Sequence, residues 1–316
     1  MPISIIGHRG MGPNMGGEQH LPIENTLPAF AACIAQGADG IEFDVRLTRD
    51  SRLVVYHDDR IAQIERSHKS HYPLIREMTA KQINEHRFCS GTQIPLFVDV
   101  LNFVVMTNQH RARAGQKNLR INVELKEGDS ASYVLKEIAP FLETRKIDAN
   151  SLLFNSSHWF DLKKINDASS NLRICPNIKP AHFEPIQNAG DNDRWPLSPF
   201  PQTAIGHFLK KAKCYGIDIR LSDFSDCALS LCQKHQIALV ACECHGILDT
   251  DLRQGIGKML SASRELPEVI LKSNNVSRAR RLISQQDYGP NTSNDQRSHL
   301  VRPMLRCLDR VASLAV

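Results

Sequence analysis

Strand and helix signals alternate eight times along this chain, and few architectures accommodate that rhythm. Short apolar strand patterns centre near residues 4, 42, 122, 153, 174, 219, 240 and 270. Helical spacing fills the gaps. Leu27, Phe30, Ala31 and Ile34 form one stripe, closed by Gly37 as a C-terminal cap. Residues 96–108 form another helix. Val134, Leu135, Ile138, Phe141 and Leu142 form a third stripe, with Asp129 placed to cap it. Helices over 158–167, 203–214, 225–235, 251–263 and 276–284 complete the series. Such alternation predicts a closed parallel (β/α)8 barrel of the TIM type, although an open doubly wound sheet shares the pattern. The polar residues decide between the two. His8, the pair Glu42 and Asp44, and Glu124 all stand at the C-terminal ends of the first three strands, where barrel enzymes keep their chemistry.

The second strand does not pass directly to a helix. In the run IEFDVRLTRDSRLVVYHDD (residues 41–59), Ile41, Phe43 and Val45 alternate with Glu42, Asp44 and Arg46, so the two carboxylates share one face. Thr48-Arg49-Asp50-Ser51 supplies turn chemistry, and Leu53-Val54-Val55-Tyr56 returns as an antiparallel strand. A four-residue turn would set Leu47 opposite Arg52, Asp44 opposite Val55 and Glu42 opposite His57. Opposed residues project to the same side, which would gather two acids and an imidazole on one patch. Residues 60–90 then read as a polar excursion with one helix, 79–86.

At 316 residues the chain suits one large α/β domain of about 250 residues with additions. A hydrophobic share of 41% provides a full core. The net charge of +5 comes without any Lys/Arg run of nucleic-acid type, so it suits a small anionic substrate at least as well as a polymer, and no nucleic-acid partner is expected. Nine cysteines lack a regular framework, the first ten residues carry no charged leader pattern, and no apolar run approaches the roughly 20 residues of a membrane span. A cytoplasmic protein with reduced thiols and no integral membrane segment is expected. Residues 285–316 read as a polar linker followed by a terminal helix with Leu305, Leu308, Val311 and Leu314 on one stripe. The oligomeric state has no signature in the sequence.

Taken together, the C-terminal rim offers two histidines, three acids, Arg9, Lys126 and Glu24. Oxygen donors without thiolates suit Mg²⁺ or Ca²⁺ rather than zinc. Two imidazoles beside a metal-bound anion are what an in-line displacement at phosphorus requires, one to accept a proton and one to give it. Arg9 and Lys126 could hold non-bridging phosphate oxygens.

GHRG, IENT, the Ala29-Phe30 pair, GIEFDV, TRD, VVYHD and INVELK, in that order, resemble the glycerophosphodiester phosphodiesterases. The similarity runs clearly from Gly7 to about Lys126. It implies a metal-dependent eight-stranded barrel with a small subdomain inserted after the second strand, here about residues 46–95 of a barrel domain spanning 1–284. It implies cleavage of glycerophosphodiesters, such as glycerophosphocholine, to glycerol 3-phosphate and an alcohol. It makes His8 and His57 the catalytic acid/base pair and Glu42, Asp44 and Glu124 the metal ligands. Arg9 and Lys126 fall on the substrate phosphate, with Glu24 supporting Arg9 or the metal. Ile23 stands where the family usually has proline. The second half departs further: strand seven reads ALVACECHG where a tryptophan motif is usual, and the last strand reads VILKSNN.

Plainer readings stand beside these. Cys242-Glu243-Cys244-His245 lacks the second ligand pair of a zinc site, although Glu243 or His245 could touch substrate. Asp58 and Asp59 either orient His57 or cap a turn, and Ser156 and Ser157 are as much helix caps as substrate contacts. A lysophospholipase D or sphingomyelinase-D-like activity on acylated substrates, or a catalytically silent metabolite-binding barrel, are the competing functions.

Overall fold

The computed structural model describes residues 3–13, 21–61, 73–88, 91–180, 202–243 and 246–288. The expected terminal helix and most of the polar linker lie outside them. Eight parallel strands close into a barrel: β1 (Ser4–Gly7), β2 (Gly40–Leu47), β4 (Arg120–Leu125), β5 (Leu152–Ser156), β6 (Arg173–Ile178), β7 (Gly216–Arg220), β8 (Ala238–Cys242) and β9 (Val269–Ser273). β1 closes the ring by pairing with both β2 and β9. The strand β3 (Leu53–Val55) stands apart, antiparallel on the end of β2. The outer helices are α1 (Leu27–Ala35), α3 (Phe97–Arg113), α4 (Ala131–Glu143), α5 (Trp159–Ala168), α6 (Gln202–Lys211), α7 (Asp226–His235), α8 (Asp249–Ala262) and α9 (Val276–Tyr288). Among the described helices none is long and apolar enough to cross a membrane.

Residue alternation sorts the strands into two environments. Ile41, Phe43 and Val45 of β2 point outward into the layer between sheet and helices, as do Ile121, Val123 and Leu125 of β4. Phe43 lies between Phe30 of α1 and Phe97 of α3, with ring centroids at 5.7 and 5.9 Å. Ile6, Leu153, Cys175, Val240 and Ile270 point inward and plug the barrel floor. Above that plug the interior turns polar, because Glu42, Asn122, Asn155, Asp218 and Lys272 are all buried. A polar layer resting on an apolar plug opens in one direction only, toward the C-terminal rim.

The helix boundaries follow local chemistry. Thr26 caps α1, its Oγ1 accepting from the Ala29 N–H, and Gly37 follows the helix at φ 89°. Asp129 does not cap α4. It is left-handed at φ 66°, Ser130 takes the cap position, and the Ser130 N–H reaches Asp161 of α5 instead. α9 runs to Tyr288, four residues past the expected end.

The hairpin register differs from expectation by one residue. Leu47 pairs with Leu53, Arg46 with Val54 and Val45 with Val55. The connection is a three-residue loop, Arg49-Asp50-Ser51, closed by Thr48 and Arg52. Thr48 N–H donates to the Arg52 carbonyl at 2.9 Å, and Thr48 Oγ1 accepts from Arg52 N–H at 3.0 Å. Ser51 turns the chain with φ 60°, the left-handed residue that an odd-length hairpin loop uses. Glu42 is therefore not opposite His57, nor Asp44 opposite Val55. The chain after β3 joins Ile23 and Val54 in a separate small core with Tyr56, Ile61, Ile75, Ile83, Phe88 and Ile94, to which the helix α2 (Ala80–Glu85) contributes.

Phe43→Ala is expected to cost about 3–5 kcal/mol of unfolding free energy, because it removes the middle ring of a fully buried trio. Urea denaturation of the two proteins measures the difference.

Candidate active site

The rim begins where β1 ends. After His8 the chain reverses through Arg9 at φ 50° and Gly10 at φ 85°. Gly10 is required twice over, since a Cβ there would also stand 2.7 Å from the Ala29 backbone. The reversal aims the Arg9 N–H at Glu42 Oε2, 2.8 Å away. The Arg9 guanidinium meets Glu24 Oε1 at 3.0 Å and Asp44 Oδ2 at 3.3 Å. Asn25, left-handed at φ 57°, donates through Nδ2 to Asp44 Oδ2 at 2.8 Å and accepts the Asp44 N–H on Oδ1 at 3.2 Å.

Glu42, Asp44 and Glu124 each bring an oxygen to one point, all within 4.8 Å of one another. Sheet register does this, because Asp44 of β2 lies beside Glu124 of β4. Lys126 Nζ answers with contacts to Glu124 Oε1 at 3.0 Å and Asp44 Oδ1 at 3.4 Å. Burial alone would raise Asp44. Lys126, Arg9, His57 and the Asn25 hydrogen bond outweigh it and hold the carboxyl below its usual range. Glu42 is pushed upward by burial and by Asp44, with Lys272 only partly compensating. Glu42 Oε1 and Asp44 Oδ1 are buried without a hydrogen-bond partner. Three converging carboxylates, two of them with an orphaned oxygen, fit a hard divalent cation, which would restore the charge balance that the protein's own cations leave incomplete.

Two imidazoles flank this cluster. His8 is 7% exposed, and its Nδ1 lies 2.7 Å from Asn274 Oδ1. Burial, followed by the charges of Arg9 and Lys272, pushes it down to about 3, so the ring is neutral. His57 comes from the irregular segment after β3, where its charge acts on Asp44 despite the shifted register. Arg46 fixes that segment, donating from Nε and NH2 to the His57 carbonyl at 2.9 and 2.7 Å. His57 Nδ1 faces Asp58 Oδ1 at 2.8 Å, so Asp58 orients the ring. All eight residues singled out in the sequence therefore stand in one connected group.

Several members carried no assignment in the sequence. Asn25 and Asn274 hold Asp44 and His8. Asn122 Nδ2 donates to Asn155 Oδ1 at 2.7 Å, and Asn155 Nδ2 to Asn177 Oδ1 at 3.1 Å, in a chain beneath Glu124. Lys272 Nζ donates to Asp218 Oδ2 at 2.6 Å inside the barrel, the two side chains 2% and 5% exposed. Burial would strip the Lys272 proton, but Asp218, with Glu42 and Glu124 among its other anionic neighbours, holds it well above its ordinary value. One lysine in the apolar strand VILKS and one aspartate in GIDIR were the available signals. Glu243 binds protein groups, Ser273 Oγ at 2.7 Å and Asn274 N–H at 2.9 Å. Cys244 and His245 lie outside the described residues. Ser156 Oγ donates to the Leu125 carbonyl and accepts the His158 N–H, so it binds protein groups ahead of α5, whose cap position is His158.

Comparison with known proteins follows the same outline. The model of the glycerophosphoryl diester phosphodiesterase family matches residues 8–188. A glycerophosphodiester phosphodiesterase of Caldanaerobacter subterraneus is 25% identical over 234 residues, covering 69% of this chain and 84% of that protein. A glycerophosphocholine phosphodiesterase of Candida albicans is 48% identical over 60 residues, which is 19% of this chain and 5% of that much longer protein. Among solved structures, an Oleispira antarctica phosphodiesterase in complex with the product sn-glycerol 3-phosphate superposes with a TM-score of 0.61. Its sequence identity is 16%, with 89% of this chain and 96% of that one covered.

Removing one member of the buried Lys272–Asp218 pair should cost more than removing both. Lys272→Met is expected to lose about 3–5 kcal/mol, since it strands a buried carboxylate, whereas Lys272→Met with Asp218→Leu should recover most of the loss. A thermal or denaturant double-mutant cycle measures it.

Proposed function

The chain belongs to the glycerophosphoryl diester phosphodiesterase family and is a phosphoric diester hydrolase, and from that premise we propose how its own residues work and on what. The substrate is a glycerophosphodiester such as glycerophosphocholine, cleaved to glycerol 3-phosphate and an alcohol. The observation that carries this is the trio of converging carboxylates, two of them buried with an orphaned oxygen, flanked by two separately held imidazoles. The product held by the Oleispira protein is of the same class.

Glu42, Asp44 and Glu124 would hold a divalent cation, Mg²⁺ or Ca²⁺, whose contribution is Lewis-acid polarisation of a phosphoryl oxygen. Arg9 and Lys126 turn from their carboxylates to the non-bridging oxygens of the diester, and Glu24 keeps the Arg9 guanidinium in plane. His8 and His57 divide the proton traffic. One accepts the proton of the attacking oxygen, from water or a neighbouring hydroxyl of the substrate, as that oxygen bonds to phosphorus. The other donates a proton to the leaving oxygen as its bond to phosphorus breaks.

On the same reading, residues 1–284 form the phosphodiesterase barrel with an insert at about 46–95, and 285–316 are an addition to it. A cytoplasmic location is consistent with the free Cys33, Cys175, Cys214, Cys227, Cys232 and Cys242. Titration of denatured, unreduced protein should then count nine thiols, and several missing thiols would overturn the assignment.

Phosphorus NMR tests the chemistry. With glycerophosphocholine and a divalent ion, a glycerol 3-phosphate signal should grow and should stop on adding chelator. Glu42→Gln should lose both ion affinity and turnover. His8→Ala and His57→Ala should lose about 10²–10⁴-fold in kcat with ion affinity kept. Turnover of lysophosphatidylcholine alone would replace the proposed substrate, and turnover of neither would refute the reading.

A further inference from the structure

The last barrel strand holds the first one across the seam where the barrel closes. Gly7 of β1 is in register with Ser273 of β9, and the His8 N–H donates to the Ser273 carbonyl at 2.9 Å. One residue on, Asn274 meets the His8 ring: Oδ1 lies 2.7 Å from Nδ1. The orientation of that amide is set from its other side. Asn274 Nδ2 faces the Glu243 carbonyl at 3.4 Å, and its backbone N–H donates to Glu243 Oε2 at 2.9 Å. A carbonyl only accepts, so the amide nitrogen must be the atom facing it, which turns Oδ1 toward the imidazole. Oδ1 also only accepts. Nδ1 therefore carries the proton of the neutral ring, and Nε2 keeps the lone pair.

Glu243 is itself anchored. It is 1% exposed, accepts the Ser273 hydroxyl at 2.7 Å, and pairs with Arg278 NH1 at 3.3 Å. Arg278 Nε donates in turn to Asp249 at 2.6 Å. On the opposite side Gly12 presses against Asn274, where an added Cβ would come within 2.6 Å of the Asn274 Cβ, and the Gly12 N–H binds the His8 carbonyl at 2.8 Å. The Asn274 amide is thus oriented by its hydrogen bonds to Glu243 and His8. His57 has an anionic partner, Asp58, where His8 has a neutral one.

We propose that Asn274, held by Glu243, is a positioning residue that locks His8 in the Nδ1–H tautomer and thereby makes His8 the proton acceptor of the reaction. This rests on the two-histidine reading. His8 Nε2 takes the proton from the attacking hydroxyl while its oxygen bonds to phosphorus. The bond from phosphorus to the leaving oxygen breaks with its electron pair on that oxygen, and His57 supplies the proton that neutralises it.

The full-length protein labelled with ¹⁵N-histidine should show a protonated Nδ1 and an unprotonated Nε2 for His8, assigned by comparison with His8→Ala. Asn274→Ala should give a mixed or reversed tautomer and lose about 10²-fold in kcat with KM within about threefold. Asn274→Asp keeps an oxygen acceptor facing Nδ1 and should regain activity to within about tenfold of the native enzyme. A protonated Nε2 in the native protein, or native kcat in Asn274→Ala, would overturn the inference while leaving two-histidine catalysis intact. Retained activity in His8→Ala would refute two-histidine catalysis itself.

Discussion

Three carboxylates held within one another's field dominate the mouth of this barrel. Two unit charges 4 Å apart cost about 4 kcal/mol at a near-surface dielectric, and burial raises the figure. The sheet cannot relieve it, because Asp44 and Glu124 are neighbours by register and Glu42 follows from strand alternation. The surroundings are organised as a response. Arg9 and Lys126 approach from the loops, Asn25 donates from the entry to α1, and Lys272 adds a positive charge from below. Each is itself buried or nearly so and needs its own partner, which accounts for Glu24 and Asp218. The interior of the barrel is thus polar through a chain of charge compensation that starts at the carboxylates.

Most of this was legible in the sequence, for a definite reason. A strand with one outward apolar face must place its other residues inside, so Glu42, Asp44 and Glu124 could be assigned to the interior once alternation was read. What alternation does not encode is the partner across a seam. Asn274 and Glu243 follow strands far from His8 in sequence, and neither VILKSNN nor CECH announces that they are linked to it. Lys272 resembles any surface lysine until VILKS is known to be buried on both faces. The hairpin register failed for another reason. A four-residue and a three-residue loop differ only in whether Thr48 and Arg52 pair, and the left-handed Ser51 that settles it has no glycine or asparagine to announce it.

The slip had little effect on the site, which shows what holds His57 in place. Strand parity would have tied its direction to the hairpin, whereas the chain leaves β2 after the Tyr56 N–H bond to the Asp44 carbonyl and is caught by the Arg46 fork on the His57 carbonyl. Arg46 is steadied by Glu127, whose second oxygen accepts the Leu47 N–H. A side chain placed by a charged clamp tolerates variation in the loop before it, and a side chain placed by register does not. The two imidazoles thus reach one site by different means, one through a packed strand end and one through a clamp.

Closure of the ring by β1 and β9 also sets when the site can exist during synthesis. The ring of His8 meets a partner 266 positions later. At about 5–20 residues per second, the interval between the two leaving the ribosome is on the order of tens of seconds. Until then β1 lacks one neighbour, and the polar interior faces an open slit. The nascent chain therefore carries its first histidine, its arginine and then its acidic cluster unassembled until the last barrel strand emerges and they become a pocket.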